Sequence, residues 1–236
     1  MIKPRRIVRI RYDILASGSQ TAFWEACQSP KTRFHVRRLR PSHWSFVFER
    51  AGLSHKDRMT NHLHIITGGP GSGKTSLIDA LAAEGIRHMP EAGRAIIQDQ
   101  VEIDGAALPW NDREAFAALM LGWEMRSYRE AMGVPGPIIF DRGIPDVIGY
   151  LRLCGLPVPA PTIKAAEKRR YANEVFIAPP WPAIFEQDSE RKQTLAEAEA
   201  TYHAMVDAYT SFGYELVVLP LASVRERADF VRSRIA

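Results

Sequence analysis

The sequence predicts a three-layer α/β fold with a five-stranded parallel sheet in residues 59–236. Two observations lead to this prediction. Short apolar runs rich in β-branched residues alternate with longer segments of helical spacing, which is the pattern of consecutive strand–helix units. A glycine-rich loop joins the first strand to the first helix, and its spacing is that of a phosphate-binding P-loop. The expected fold is therefore that of a P-loop NTPase.

The P-loop follows a first strand predicted at Leu63–Thr67 and reads GGPGSGKTS. It matches G-x-x-x-x-G-K-[ST], with Gly68, Gly73, Lys74 and Thr75 at the defining positions. Glycines let the backbone curl so that its N–H groups surround phosphates, and the helix that begins near Lys74 adds the positive end of its dipole. We expect Lys74 to reach the β- and γ-phosphates of ATP and the Thr75 hydroxyl to ligate Mg²⁺.

The nucleotide site is expected to involve the whole loop. The predicted nucleotide-binding residues are Gly68, Gly69, Pro70, Gly71, Ser72, Gly73, Lys74, Thr75 and Ser76. The N-K-x-D element that reads guanine does not occur in the chain, which favours ATP over GTP.

The other elements are predicted from hydrophobic periodicity and from capping residues. Strands are predicted at 86–90, 137–141, 171–178 and 213–220, and helices at 74–83, 92–101, 112–132, 194–211 and 223–235. Asp112 and Ser223 are the expected N-terminal caps of their helices. Because ligands of parallel α/β sheets bind at the carboxyl ends of the strands, the residues after each strand are candidates for the site.

The third strand ends in an acid, Asp141, where a Walker B carboxylate would lie, and we expect this residue to ligate Mg²⁺. Water-activating ATPases of the AAA type usually have a Glu at the next position, whereas here Arg142 and Gly143 follow. An Asp-Arg pair suits phosphoryl transfer to a bound hydroxyl, because the acid orients the acceptor or the metal and the guanidinium holds a phosphate or the developing charge. The alternative is a solvent-exposed ion pair of Asp141 with Arg142 or another base.

Glu91 holds the equivalent place after the second strand and is a second candidate base near the same crevice. Arg94 could clamp an anionic part of the acceptor or could be a surface arginine. A charged stretch from Glu186 to Lys192 precedes the helix at 194–211, where small-molecule kinases have a segment that closes over ATP and delivers an arginine. Arg191 is the first candidate for this arginine and Lys192 the second, and a solvated charged loop is the alternative.

Composition excludes several classes of protein. With 236 residues and 46% apolar content the chain can build a core, which excludes disordered, collagen-like and disulfide-scaffold proteins. The two cysteines, Cys27 and Cys154, are far apart in sequence and indicate neither a disulfide framework nor a zinc site. No apolar stretch approaches the roughly 18 to 20 residues of a membrane span, and residues 1–15 lack the apolar core of a signal peptide. We expect a soluble cytoplasmic protein without a membrane partner.

The net charge of +4 hides two parts of opposite sign. Residues 1–58 contain 13 of the 31 Lys and Arg but only 4 of the 27 Asp and Glu, so they carry +9 and the remainder carries −5. A flexible basic extension, or upstream sequence outside the native protein, is the favoured interpretation. Nucleic-acid binding through basic residues with interleaved aromatics and a small packed subdomain are the alternatives. Nucleic acid is accordingly not the expected partner of the P-loop domain at 59–236.

Four segments of the sequence together carry a resemblance to a known group of proteins. They are IITGGPGSGKTS at 65–76, PEAGR at 90–94, FDRG at 140–143 and FIAPPW at 176–181. They resemble the bacterial AAA-domain P-loop ATPases of kinase-like type, a group similar to the nicotinamide riboside kinase domain and, more distantly, to thymidylate and deoxynucleoside kinases. The resemblance implies a kinase-like P-loop core, with ATP and Mg²⁺ at the P-loop and an acceptor pocket between the ends at Glu91 and Asp141. Deoxynucleoside kinases tend to have Glu-Arg-Ser where this chain has Asp141-Arg142-Gly143.

The sequence thus favours an ATP-dependent kinase that phosphorylates a small hydroxyl-bearing or phosphorylated molecule, with a nucleoside-like compound as one option. Its expected catalytic residues are Lys74, Glu91, Asp141, Arg142 and Arg191, and its expected metal ligands are Thr75 and Asp141. The alternatives are a nucleotide-dependent switch or ATPase regulator without small-molecule phosphotransfer, and an accessory ATPase guided to nucleic acid by residues 1–58.

Overall fold

The structure is a computed structural model that describes residues 61–185 and 194–235. These residues form five strands and seven α-helices. The strands are β1 (Leu63–Gly68), β2 (Arg87–Met89), β3 (Ile138–Asp141), β4 (Glu174–Ala178) and β5 (Glu215–Val218). The helices are α1 (Lys74–Ala83), α2 (Ala92–Glu102), α3 (Arg113–Met132), α4 (Ile144–Leu153), α5 (Ala160–Lys168), α6 (Leu195–Ser211) and α7 (Val224–Ile235). The basic residues 1–58 and the charged stretch with Arg191 and Lys192 lie outside the described residues.

The five strands form one parallel sheet in the order β2-β3-β1-β4-β5, which confirms the predicted sheet. β1 lies in the centre, and its register pairs Ile66 with Asp141 on β3 and Gly68 with Ala178 on β4. The start of the P-loop therefore lies beside the carboxyl end of β3. Since β2 is the outer neighbour of β3, the residue that follows β2 approaches the same edge.

The two faces of the sheet bury different strand residues. Alternate residues point to opposite faces of a strand, and both faces of this sheet are covered. On one face the strand residues Leu63, Ile65, Ile138, Phe140, Val175 and Ile177 pack with residues of α3 and α6. On the other face Ile66, Ile139, Phe176 and Ala178 pack with residues of α1 and α7. The helix–sheet–helix arrangement confirms the predicted three layers, and each fully buried aliphatic side chain stabilises it by about 1.5–3 kcal/mol.

Local side-chain contacts explain where several helices begin. The Asp112 carboxylate accepts a hydrogen bond from the Ala115 N–H at 2.9 Å, as predicted for the N-terminal cap of α3. Ser223 exchanges hydrogen bonds with Glu226 before α7. Thr194 forms a capping box at the start of α6. Such caps satisfy backbone N–H groups that the first helical turn leaves unpaired.

Helices α4 and α5 were not predicted, because their segment is rich in proline and glycine. Pro145 and Pro161 lie in the first turns of α4 and α5, where a missing N–H is harmless. β4 and β5 are also shorter than predicted, beginning at Glu174 and Glu215. Within the described part of the chain, none of the helices combines the length and the apolar character that a membrane span requires.

Candidate functional site

The P-loop connects β1 to α1 in a turn that requires glycine. Gly73 immediately precedes α1 and has φ +72°, in the left-handed region that glycine adopts without strain. The Lys74 ammonium group is turned back over the loop and donates hydrogen bonds to the Gly69 carbonyl oxygen at 2.7 Å and to Ser72 Oγ at 3.4 Å. Ser72 Oγ in turn donates to the same Gly69 oxygen at 2.7 Å. These hydrogen bonds hold the Lys74 and Ser72 side chains against the backbone of the P-loop.

Two neighbouring helices hold the P-loop from outside. A Cβ atom on Gly69 would lie 2.4 Å from the backbone oxygen of Ala198 in α6. A Cβ atom on Gly73 would lie 2.7 Å from Nη1 of Arg227 in α7. Gly69 is thus required by its packing against the backbone of α6, and Gly73 by its backbone conformation.

Arg227 is a functional candidate that the sequence did not indicate. Its side chain is only 1% exposed and lies against the P-loop. Nη2 donates to the Ser72 carbonyl oxygen at 3.1 Å and Nη1 to the Gly73 carbonyl oxygen at 3.3 Å. Because each carbonyl and the N–H of the same peptide unit point in opposite directions, these bonds turn the N–H groups of Gly73 and Lys74 away from Arg227. In sequence Arg227 is one of several arginines in α7, and only its burial distinguishes it.

Burial changes the electrostatics of the P-loop lysine. It lowers the pKa of Lys74 to about 8, and the positive charge of Arg142 acts in the same direction. The carboxylates of Asp141, Glu91 and Asp146 oppose this decrease in pKa. Burial therefore outweighs the nearby carboxylates, and a bound phosphate would favour the charged form of this ammonium group.

Arg142 connects the ends of β2 and β3. Its Nε donates to Glu91 Oε1 at 2.8 Å and its Nη1 donates to Asp146 Oδ1 at 3.2 Å. Arg142 also has φ +74°, an uncommon conformation for a residue with a side chain, and such strain concentrates at functional sites. Burial alone would lower its pKa, but Glu91, Asp146 and Asp141 outweigh burial and raise it, so Arg142 stays charged.

The structure therefore brings Glu91 and Arg142 together, as expected for two residues of one crevice. It does not form the solvent-exposed pair of Asp141 with Arg142 that was the alternative. Asp141 is only 9% exposed, and the partners of Arg142 are Glu91 and Asp146.

Asp146 is the second residue that the sequence did not indicate. Its carboxylate accepts hydrogen bonds from Thr67 Oγ1 at 2.5 Å, Tyr209 OH at 2.5 Å and the Gly143 N–H at 2.9 Å, besides the bond from Arg142. It lies in the first turn of α4, a helix that was not predicted. The signal in the sequence was an acid three residues after Gly143, and its carboxylate accepts the Gly143 N–H at the start of this helix.

Asp141 fits a metal or an acceptor hydroxyl. Its Oδ1 is buried and has no hydrogen-bond partner among the described residues. Burial raises the pKa of Asp141, the positive charge of Lys74 opposes the increase, and Glu91 adds to it. A buried oxygen without a partner is costly unless a ligand completes it. Carboxylate and hydroxyl oxygens suit Mg²⁺, and the exposed Thr75 supplies a hydroxyl at the start of α1.

The described residues contain no group of three or more His, Cys, Asp or Glu side chains arranged to hold a metal ion. A Mg²⁺ ion at Thr75 and Asp141 would take its remaining ligands from water and from phosphates, as Mg²⁺ does in nucleotide sites. The donor set thus fits a nucleotide-bound ion.

Glu124 adds a fourth carboxyl group on the α3 side of the crevice. It is 4% exposed and lies on the buried face of α3. Burial raises the pKa of Glu124 well above its ordinary value, and the carboxylates of Asp146 and Asp141 raise it further. The apolar periodicity of α3 predicts which face of the helix is buried, but it does not predict a buried acid. From the sequence alone, Glu124 could therefore not be distinguished from a surface acid.

The other predicted site residues lie where the motif places them. Pro70 and Gly71 are half-buried in the loop, and Ser76 and Arg94 are exposed in the first turns of α1 and α2. Gly68 ends β1. The roles of these residues, and of Arg191 outside the described part, stay predictions.

Solved structures with the same fold include kinases. The NadR protein in complex with NR superposes with a TM-score of 0.58 at 16% identity, over 75% of this chain and 52% of that chain. Deoxyadenosine kinase from M. mycoides with bound dATP gives 0.53 at 12% identity, over 74% of this chain and 98% of that one. Thymidylate kinase from Ehrlichia chaffeensis gives 0.50 at 14% identity, over 74% and 99%. The chain spans about half the length of NadR and nearly the full length of the two kinases.

At these identities the likeness shows the fold. In a search by sequence no curated protein matches the chain significantly. The sequence profile of the AAA domain family matches residues 63–227, from the first residue of β1 to Arg227. The matched residues make up more than half of the chain and include the P-loop, Glu91 and the turn after β3. The protein therefore belongs to the AAA domain family, with the fold of the P-loop kinases.

Proposed function

We propose that the protein is a Mg²⁺-dependent phosphotransferase that moves the γ-phosphoryl group of ATP to a hydroxyl group of a small, nucleoside-like acceptor. The observation that carries this proposal is the ion pair of Glu91 and Arg142 beside the unpartnered oxygen of Asp141. A water-activating site would need one base near the γ-phosphate. Two acids and a charged arginine at the ends of adjacent strands are suited to orienting a second substrate.

The residues take the following parts in the transfer. N–H groups of the P-loop hold the phosphates, and Lys74 neutralises charge on the β- and γ-phosphates. The acceptor oxygen attacks the γ-phosphorus while the bond to the β–γ bridging oxygen breaks, and that electron pair leaves on ADP. The hydroxyl proton passes to the carboxylate of Glu91 or Asp141. Arg142 stabilises the charge that develops, and Arg191 is proposed to assist it.

Thr75 and Asp141 are proposed to hold Mg²⁺. When bound, the ion would neutralise phosphate charge and help fix the geometry of the β- and γ-phosphates.

The proposal is tested by measuring ADP formation by the full chain with Mg²⁺ and ATP against a panel of hydroxyl-bearing metabolites, with the phosphorylated product identified by mass spectrometry. We expect one acceptor class to raise ADP formation at least tenfold over the basal rate. Lys74→Ala should abolish the stimulated rate, and Lys164→Ala, an exposed lysine of α5, should leave it unchanged. If ATP binds with micromolar affinity and no acceptor raises its turnover, the protein is a nucleotide-dependent switch instead.

A further inference from the structure

The acceptor side of the crevice is formed in part by one face of α3. Near the start of this helix, the Phe116 ring lies close to Gly93, which follows Glu91 by two residues. The ring is 3.8 Å from the position that a Cβ atom on Gly93 would occupy. Three turns later, the Tyr128 ring packs edge-on against Tyr171 with centroids 5.3 Å apart. The Tyr171 ring lies beside the turn after β3, 3.2 Å from the position of a Cβ on Gly143. The inner face of α3 thus extends from the end of β2 to the end of β3.

Glu124 lies between these two contacts on the same face of α3. It follows Phe116 by eight residues and precedes Tyr128 by four, the spacing of successive turns on one side of a helix. Glu124 is 4% exposed, and its carboxyl group interacts electrostatically with Asp146, Asp141 and Arg142. A carboxyl group at such a position can form a hydrogen bond with a ligand that enters the crevice.

The crevice contains more carboxyl groups than cations, and both cations already have partners. Glu124 is influenced electrostatically by three other carboxyl groups of the described residues, Glu91, Asp141 and Asp146. The two cations among them are engaged, since Arg142 binds Glu91 and Asp146 and Lys74 binds the P-loop. A phosphate on the acceptor would add negative charge beside these carboxyl groups, in a buried setting where charges interact strongly.

We propose that the acceptor is a neutral or cationic hydroxyl compound without a phosphate group, and that the buried carboxyl of Glu124 selects it through a direct hydrogen bond. This inference rests on the proposed function and narrows its acceptor. A hydroxyl, amide or amino group can form a hydrogen bond with the Glu124 carboxyl in either protonation state. A phosphate dianion would in addition bring negative charge close to the carboxylates of Glu91, Asp141 and Asp146, which disfavours it. During transfer the acceptor hydroxyl gains the phosphoryl group and loses its proton to Glu91 or Asp141, so Glu124 takes no part in bond making.

The test uses matched pairs of acceptors that differ only by a phosphate: thymidine and thymidine monophosphate, uridine and uridine monophosphate, ribose and ribose 5-phosphate. Binding to the full chain is measured by calorimetry with Mg²⁺ and a non-hydrolysable ATP analogue, and turnover is measured by ADP formation with ATP. We expect the unphosphorylated member of at least one pair to bind at least tenfold more tightly than its ester. Equal binding within every pair, tighter binding of an ester, or no binding by any pair overturns the inference.

Two variants of α3 assign the selection to Glu124. Glu124→Gln should weaken binding of the unphosphorylated member by about 10- to 100-fold, the effect of removing a hydrogen bond to a charged or buried group, without changing the affinity for ATP. Glu130→Gln, which alters an exposed acid of the same helix, should change neither. A lower melting temperature of Glu124→Gln with an unchanged ratio within each pair would show a merely structural role and overturn the assignment.

The competing candidate for an anion contact is Arg94, which is exposed in the first turn of α2. If an ester binds more tightly and Arg94→Ala removes that preference, the crevice selects phosphorylated acceptors. If the unphosphorylated member binds selectively but no ADP forms, the proposed phosphotransferase activity is contradicted and the proposed selectivity is supported. If esters give faster ADP formation, the phosphotransferase activity is supported and the proposed selectivity is contradicted.

Discussion

The residues that organise the site are in part ones that its motifs do not contain. Asp146 holds Arg142, the turn at Gly143 and the hydroxyls of Thr67 and Tyr209 in one buried network. Tyr209 comes from α6 and Thr67 from β1, so this carboxylate joins three elements at the edge of the sheet. Its importance follows from the number of donors that would lose their acceptor if it were changed.

Asp146→Asn tests this network. The amide keeps the size of the side chain but loses the charge that pairs with Arg142 and presents N–H groups to donors. We expect the free energy of unfolding to fall by about 2–4 kcal/mol, measured by urea denaturation.

Asp229→Asn is the matched control, because Asp229 pairs with Arg232 on the exposed face of α7. It should change the stability by no more than about 0.5 kcal/mol. Equal effects of the two substitutions would contradict a special role for Asp146.

Arg227 is expected to position the P-loop for phosphate binding. Arg227→Lys keeps the positive charge but loses the forked pair of bonds to the Ser72 and Gly73 carbonyls. We expect the dissociation constant for ATP to rise about tenfold or more, measured by calorimetry.

Arg225→Lys alters an exposed arginine of the same helix and should leave ATP binding unchanged. The idea fails if Arg227→Lys binds ATP as tightly as the parent, or if its loss of affinity follows only from a loss of folded protein. Circular dichroism at the temperature of the titration separates the last case.

At the scale of elements, local signals located those with regular patterns. β1 and β3 are short apolar runs next to the P-loop and to Asp141, and α3 begins at the capping residue Asp112. α4 and α5 were not predicted because prolines interrupt the hydrophobic periodicity of their sequences. Their position is determined by packing instead: α4 lies against α6, and buried residues such as Ile148 cover its inner face.

The contact of α4 with α6 depends on Gly149. A Cβ there would lie 2.7 Å from the Met205 terminal methyl and 3.2 Å from the Ala204 carbonyl oxygen. Gly149→Ala should lower the free energy of unfolding by about 1–3 kcal/mol, because the methyl group is inserted into a filled contact.

Gly122→Ala is the control for helix propensity. Gly122 lies in α3 with no atom within 4 Å of an added Cβ, so alanine should stabilise the protein by up to about 1 kcal/mol. Urea denaturation of both variants measures the difference. A stabilising Gly149→Ala would show that α4 and α6 are less closely packed than described.

At the scale of the whole molecule, the central strand gives stability a pH dependence. His64 lies buried in β1, and burial, with a smaller effect of His62, lowers its pKa to about 4. In the unfolded chain its pKa is near the ordinary value of about 6.5. Between these values the unfolded state binds a proton that the folded state excludes, so stability falls as the pH decreases from about 6.5 to about 4.

His64→Asn should remove this contribution. Urea denaturation at pH 7 and pH 5 should show that the parent loses about 2 kcal/mol more than the variant over this interval. His88→Asn, at an exposed position of β2, should retain the parent's dependence. The same loss in the parent and in His64→Asn would contradict the assignment.

The deletion of residues 1–58 tests the predicted domain boundary. If residues 59–236 hold the P-loop domain, the truncated chain should unfold cooperatively and bind ATP with unchanged affinity, measured by calorimetry. Salt-sensitive retention of the full chain on DNA or RNA, lost on truncation, would instead favour the nucleic-acid alternative for this basic segment.

The sequence by itself determined the phosphate loop, the acid at the end of β3 and most regular elements. Each of these depends on residues close together in the chain: glycine spacing, a cap, or a run of β-branched residues. The prediction that Glu91 and Asp141 share one crevice also followed, because parallel strands bring their carboxyl ends to one edge.

Only the tertiary structure decided which partners these residues meet. Arg142 pairs with Glu91, which lies 51 positions away, and Arg227 binds the loop from 155 positions away. Such pairs depend on the order of the strands, on the register of β1 with β3 and on which helix covers which face, and none of these is encoded in a local pattern. The burial of Glu124 and Asp146 has the same origin, because a charged residue is recognised as internal only when the elements around it are in place.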